Sequence, residues 1–187
     1  MRKLIESTFV TLDGVISDTE PSTAPQASPE KWGGPYWDDE HLNYARKLLF
    51  GADALLLGRV TYEGFAASWP QRSGDDFSDK INNMPKYVAS RSLKEATWNA
   101  TIINGDVAGK VAELKKQGDG NLLKYGTGEL DRTLVKHGLV DEFHFWFFPV
   151  VLGAGQHLFD QVDTAHLNLL DSTRFKSGIV VNVYAPR

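Results

Sequence analysis

With 187 residues, 42% of them apolar and 24% charged, the chain can bury one complete core and is expected to fold as a single domain over residues 1–187. A formal charge of −4 leaves no surplus of Lys and Arg to neutralise a nucleic-acid backbone, so no nucleic-acid partner is expected. Cysteine is absent, which excludes disulfides, thiolate-bound zinc, iron–sulfur clusters and cysteine nucleophiles.

From the N-terminus, Arg2 to Thr11 is rich in strand formers and ends at the turn pair Asp13-Gly14, while Glu6 and Asp13 interrupt any apolar core of a signal peptide. Ser17 to Pro35 has the composition of a structureless segment. Asp39 to Phe50 reads as a helix with Leu42, Ala45, Leu48 and Leu49 on one face, capped by Asp38 or Asp39. Ala54 to Leu57 is a short buried strand that turns at Gly58. Tyr62, Phe65, Ala66 and Trp69 then mark a short helix closed by Pro70. Strands follow at Lys86 to Ala89, ending at Ser90-Arg91-Ser92, and at Thr101 to Ile103, ending at Asn104-Gly105. Val107, Val111 and Leu114 stripe the next helix. Asn121 to Tyr125 is a strand, Gly126-Thr127-Gly128 a tight turn, and Glu129 to His137 a helix stopped by Gly138.

Beyond Val140 the pattern changes, with Phe143, Phe145 and Phe147 alternating with His144, Trp146 and Phe148 in a strand covered on both faces. Phe143 to Gly155 is the longest uncharged apolar stretch; it contains Pro149 and falls short of the roughly 20 residues of a bilayer span, so a cytoplasmic protein without membrane association is expected. Leu167 to Arg174 and Gly178 to Tyr184 flank a turn and form a closing antiparallel hairpin, whose strand Ile179 to Tyr184 offers an edge for a homodimer. His41, His137, His144, His157 and His166 include no i, i+4 pair, so no metal site is expected, and His137 suits a helix C-terminal cap. The alternation of strands and helices gives an α/β fold class, with about eight strands in a mostly parallel sheet and roughly four or five helices.

In such sheets ligands gather at the carboxyl ends of the strands. At Gly58-Arg59-Val60-Thr61, permissive backbone meets free helix N–H groups and a guanidinium, although Arg59 also reads as an ordinary surface arginine. Ser90-Arg91-Ser92 sets two hydroxyls beside a guanidinium, a set suited to phosphate. Gly126-Thr127-Gly128 can turn successive N–H groups toward a pyrophosphate, but it lacks the third glycine of GxGxxG, which disfavours an ordinary Rossmann domain. Leu152-Gly153-Ala154-Gly155 is again permissive backbone after an apolar strand.

Taken together, these segments resemble the dihydrofolate-reductase-like family, in the form of the C-terminal reductase domain of the riboflavin-biosynthesis deaminase/reductase. Thr11-Leu12-Asp13-Gly14 resembles the family's first strand and turn, and Leu57-Gly58-Arg59-Val60-Thr61-Tyr62-Glu63 its glycine-arginine segment. The most specific part is Leu134-Val135-Lys136-His137-Gly138-Leu139-Val140-Asp141-Glu142 followed by Pro149-Val150-Val151-Leu152-Gly153-Ala154-Gly155. The resemblance implies a three-layer α/β/α fold, NADPH as hydride donor, and a small substrate between the end of the first strand and the nicotinamide. By position it implies Gly58, Arg59 and Thr61 at the adenosine phosphate, with Ser90 and Arg91 opposite. Gly126, Thr127, Gly128 and Glu129 would line the pyrophosphate and nicotinamide side, and Leu152 and Gly153 the nearby wall.

Dihydrofolate reductases place an acid on the first long helix, which makes Asp38 and Asp39 candidates to assist protonation, with helix capping as their alternative duty. Asp13 at the mouth of the site is a third candidate, or simply half of a turn pair. Ser17 to Trp37, ending in Trp32, Tyr36 and Trp37, is expected to be a lid whose aromatics meet a flat substrate, or else a surface loop stapled by them. The expected activity is NADPH-dependent reduction of a pterin, folate or pyrimidine-like ring or of a carbonyl compound, riboflavin biosynthesis included. The rival is a non-catalytic nucleotide-binding or assembly protein on the same fold.

Overall fold

The computed structural model describes residues 1–17, 32–160 and 162–187. In chain order the elements are β1 (Leu4–Thr11), β2 (Val15–Ser17), α1 (Asp39–Phe50), β3 (Ala52–Gly58), α2 (Arg59–Ser68), α3 (Asp76–Asn83), β4 (Lys86–Ala89) and β5 (Ala100–Ile103). They continue with α4 (Val107–Leu114), β6 (Asn121–Tyr125), α5 (Glu129–Lys136), β7 (Glu142–Phe148), β8 (Gln156–His157), β9 (Leu167–Arg174) and β10 (Val180–Pro186). Eight strands form one sheet in the order β5-β4-β3-β6-β1-β7-β10-β9, while β2 and β8 pair as a separate ribbon. The sheet is parallel from β5 to β7, and β10 and β9 close it as an antiparallel hairpin.

The two-residue period of a strand sends alternate side chains to opposite faces, and the chain fills both faces with leucine. Leu55 and Leu57 of β3 join Ile5, Leu123, Val88, Trp146 and Phe148 in one core, roofed by Leu48 and Leu49 of α1, Tyr62 of α2 and Ile81 of α3. Ala54 and Leu56 join Leu4, Leu122, Phe143 and Phe145 in the other, roofed by Val111 and Leu114 of α4 and Leu134 of α5. The result is the three-layer α/β/α arrangement.

Two local expectations are corrected, and one helix is added. On α1 the buried stripe is His41, Leu48 and Leu49, whereas Leu42 is 51% exposed, so the stripe begins one residue earlier and on an imidazole. The helix α3 has no apolar stripe to announce it, because Ser78 and Ile81 are its buried positions; the carboxylate of Asp75 starts it by accepting the Ser78 N–H at 2.9 Å. The strand expected over Ile179 to Tyr184 is β10, which lies inside the sheet between β7 and β9. The edge on that side of the sheet is β9, with Leu169 and Leu170 each 56% exposed.

Lys86, at the start of β4, is fully buried. Its Nζ donates to the Asn82 carbonyl at 2.7 Å and lies 4.0 Å from the Trp98 ring centroid. Burial pushes its ammonium down from 10.5 to about 8. Between those values the unfolded chain binds more protons than the folded one, so this residue makes stability rise as pH increases from about 8 to 10.5. Lys86→Met is therefore expected to raise the melting temperature at pH 7, and its advantage over the parent should shrink as melts are repeated toward pH 10.5.

Candidate functional site

The carboxyl ends of β1, β3, β4, β5 and β6 open into one cleft of about 1590 Å³. Gly58, Arg59 and Thr61 enter it after β3, Ser90 and Arg91 after β4, and Gly126, Thr127, Gly128 and Glu129 after β6. Ser7, Thr8 and Phe9 of β1, with Trp37 and His41, line it further along. These groups come from non-consecutive parts of the sequence; the parallel crossovers bring them to the same end of the sheet.

Helix capping divides the helices into two sets. At α1, α3 and α4, the carboxylates of Asp38, Asp75 and Asp106 accept the N–H groups of His41, Ser78 and Gly109 at 2.8, 2.9 and 2.9 Å. The helices α2 and α5 start instead at Gly58 and Gly128, with no side-chain cap, and both starts lie on the cleft. The φ angles of these glycines, −74° and 170°, suit any residue, and a Cβ built on either meets nothing within 4 Å. Neither internal packing nor backbone strain calls for glycine there. A helix start without a side-chain cap presents N–H donors and the positive end of the macrodipole, the ordinary setting for an anion. Gly126 differs: its φ of +71° is left-handed, and a Cβ would sit 3.2 Å from Thr61 Oγ1, so this turn packs directly on α2.

Under the 126–128 turn lies a buried charged group. Lys124 Nζ pairs with Asp131 Oδ1 at 2.7 Å, stands 3.6 Å from Glu6 Oε2, and donates to the Gly126 carbonyl. Asp131 Oδ2 accepts the Gly128 N–H at 2.6 Å. One ion pair thus grips both ends of the turn. Burial pushes the Glu6 carboxyl well above the usual range, against the pull of Lys124. For Lys124, burial opposes the charge, but Asp131 and Glu6 outweigh it and hold the ammonium above its ordinary value.

The arginines at the rim carry exposed partners, Arg59 with Glu63 at 2.8 Å and Arg91 with Glu129. Surface pairs of this kind contribute about 0–1 kcal/mol and exchange readily for a better anion.

Of the residues singled out from sequence, Gly58, Arg59, Thr61, Ser90, Arg91, Gly126, Thr127, Gly128 and Glu129 meet in the cleft. Leu152 and Gly153 stand outside its lining, their N–H groups donating to Asp13 at 3.3 and 2.7 Å. Asp13 also accepts the Thr11 hydroxyl at 2.6 Å, and these bonds, led by that of Thr11, push its carboxyl down to about 2. It is a fixed anion tying the 152–153 backbone to the end of β1. Asp38 caps α1, Asp39 lies in the first turn, and neither lines the cleft. Trp32 is buried edge-on against Phe148 at 5.1 Å, and Tyr36 packs on the same ring while donating to the Pro149 carbonyl at 3.3 Å. Trp37 alone of the three aromatics lines the cleft, stacked on His41. The rest of the expected lid, residues 18–31, lies outside the described residues. The sequence reading missed Lys124, Asp131 and His41. The signal for the first was a lysine inside an otherwise buried strand.

The profile of the RibD C-terminal domain matches residues 2–181. The chain belongs to that family. The uncharacterized protein YyaP of Bacillus subtilis (strain 168) is 33% identical over 137 residues, 71% of this chain and 73% of that protein. Among solved structures, the deaminase/reductase of Thermotoga maritima superposes with a TM-score of 0.64 at 16% identity, covering 100% of this chain and 57% of that one. Dihydrofolate reductase from Enterococcus faecalis, complexed with NADP(H), gives 0.61 at 14% identity over 99% and 96% of the two chains. The fold shared with these structures is dihydrofolate-reductase-like. Among the described residues, no helix is long and apolar enough to cross a membrane.

The buried group predicts a contrast between its two carboxyls. Asp131→Asn leaves Lys124 without its ionic partner and is expected to cost about 3–5 kcal/mol in urea denaturation at pH 7. Glu6→Gln leaves the closer Lys124–Asp131 pair in place and should stay within about 1 kcal/mol of the parent. Equal losses would show that Glu6 shares the pairing of Lys124 equally with Asp131.

Proposed function

We propose that this RibD C-terminal domain protein is an NADPH-dependent reductase that delivers a hydride to a small planar heterocycle or carbonyl compound. The observation that carries the reading is the pair of glycine-started helices, α2 and α5, opening on one cleft between two exposed arginines. This arrangement suits a ligand with phosphates at its centre and a further anionic group at one end. Where α1, α3 and α4 have aspartate caps, α2 and α5 have none, which leaves first-turn N–H groups for the diphosphate. Arg59, Ser90 and Arg91, which line the same cleft, would hold the 2′-phosphate, the arginines by releasing their surface carboxylates.

NADPH, when bound, supplies the hydride. The chain's own part is placement: Lys124 and Asp131 fix the 126–128 turn, and the end of β1 forms the floor on which an acceptor can lie in line with the donor. The buried Thr127 hydroxyl, which has no hydrogen-bond partner among the described residues, fits a contact with the ligand at that turn. Hydride transfer from NADPH to any acceptor in this class separates the reductase from a non-catalytic binding protein.

Two measurements check the cofactor assignment. Arg59→Ala removes a charge-assisted hydrogen bond of about 1.5–3 kcal/mol, and should weaken NADPH roughly ten- to a hundredfold in a fluorescence titration while changing NADH little. Gly58→Asp gives α2 the cap that α1, α3 and α4 already have. The free protein should then melt no lower than the parent, and the NADPH-induced rise in melting temperature should vanish, because the new carboxylate fills the anion's place. A full NADPH-induced rise in that variant would remove α2 from the site.

A further inference from the structure

One side chain in the cleft wall is not explained by the fold. His41 lies in the first turn of α1 and is 5% exposed. Its ring is parallel to the Trp37 indole, 4° between planes and 5.3 Å between centroids, and it meets Phe9 and Trp146 at 5.7 and 5.2 Å in tilted and edge-on contacts. Among the described residues neither Nδ1 nor Nε2 has a hydrogen-bond partner. Burial pushes the imidazole below its usual value, with the nearby Asp38 charge opposing, so the ring is neutral at pH 7 and carries one N–H donor and one lone pair.

A phenylalanine would fill this aromatic box without leaving a donor and an acceptor unmade, and leaving them unmade costs stability. The reason for an imidazole therefore lies outside the packing of the described residues. Its position supplies one. Phe9 belongs to β1 and Trp146 to β7, and they are register partners. Arg91 follows β4, which is separated from β1 by β3 and β6, a span of about 14 Å at the usual strand spacing. His41 thus stands at the end of the cleft away from the arginines, where the reactive end of a dinucleotide would meet its acceptor.

We propose that His41 recognises the hydride acceptor by hydrogen-bonding an uncharged planar ring, and that Trp37 is the aromatic cover that moves aside to admit it. The proposal rests on the reading of the cleft as that of a dinucleotide-dependent reductase. A neutral imidazole offers no ion pair, so the ring is selected for a carbonyl, ring nitrogen or N–H at its edge and for a face that can replace the Trp37 indole. Because both nitrogens are covered in the closed arrangement, discrimination among acceptors occurs only as the cover opens.

The test uses 2-pyridone as a planar probe with both N–H and C=O, and toluene as an apolar ring. In the full chain with ¹⁵N-labelled histidine and no cofactor, 2-pyridone is expected to shift the His41 ring nitrogens and toluene to leave them in place. His41→Phe should melt higher than the parent, lose at least tenfold in 2-pyridone affinity and keep its NADPH affinity; His41→Gln, with a donor and an acceptor, should recover part of the loss. Unshifted His41 nitrogens at the highest soluble 2-pyridone concentration, or parental 2-pyridone affinity in His41→Phe, overturns the proposal. Since the probe titration contains no cofactor, a failure of NADPH to bind would count against the reductase reading and not be mistaken for a failure at His41.

Discussion

The cleft depends on the reach of Lys124. Parallel pairing of β1 with β6 sets Glu6 beside Lys124 in register, and α5 brings Asp131 over both. From that position one ammonium holds the Gly126 carbonyl and, through Asp131, the Gly128 N–H. The desolvation of two buried charges cancels much of their attraction, and a well-packed apolar replacement can match such a pair in stability. An apolar replacement could not hold two backbone groups at a set separation. The charge is thus better understood as a clamp on the turn than as a source of stability, and its cost is met by the leucine-rich faces on either side, where Leu4, Leu55, Leu56, Leu57, Leu122 and Leu123 are fully buried.

The organisation was legible in the sequence wherever a period met a punctuation mark. Asn121 to Tyr125, the glycine turn and the helix stopped by Gly138 appear in the structure as β6, its turn and α5, because apolar runs and positive-φ glycines carry local information. The elements that went unread lack such marks. The helix α3 buries Ser78 and Ile81, too few positions to make a stripe, and β2 and β8 are three and two residues long. On α1 the leucine at 42 drew the stripe one position too far, since a histidine is not counted among apolar residues even where aromatic rings enclose it.

The site divides along the same line. Glycines and arginines at strand ends could be found from the sequence because chain position alone places them at one end of a parallel sheet. The acids could not be sorted that way. Asp13 and Asp38 took on the local duties of turn and cap that their neighbours in sequence already suggested, through Thr11 and the His41 N–H. Lys124, Glu6 and Asp131 are informative only as a set, and β1 contributes its member from more than a hundred residues away in the chain.

The two helix starts left without side-chain caps also bear on how long the molecule lasts. Under the proposed reading, an anion held at the first-turn donors of α2 and α5 would add its binding free energy to the folding free energy of the chain. A ligand present at a hundred times its dissociation constant deepens the native well by about 2.7 kcal/mol, roughly a hundredfold fewer unfolded copies. Proteases act on those copies, so with such a ligand the turnover of the chain in the cell would follow the ligand's supply.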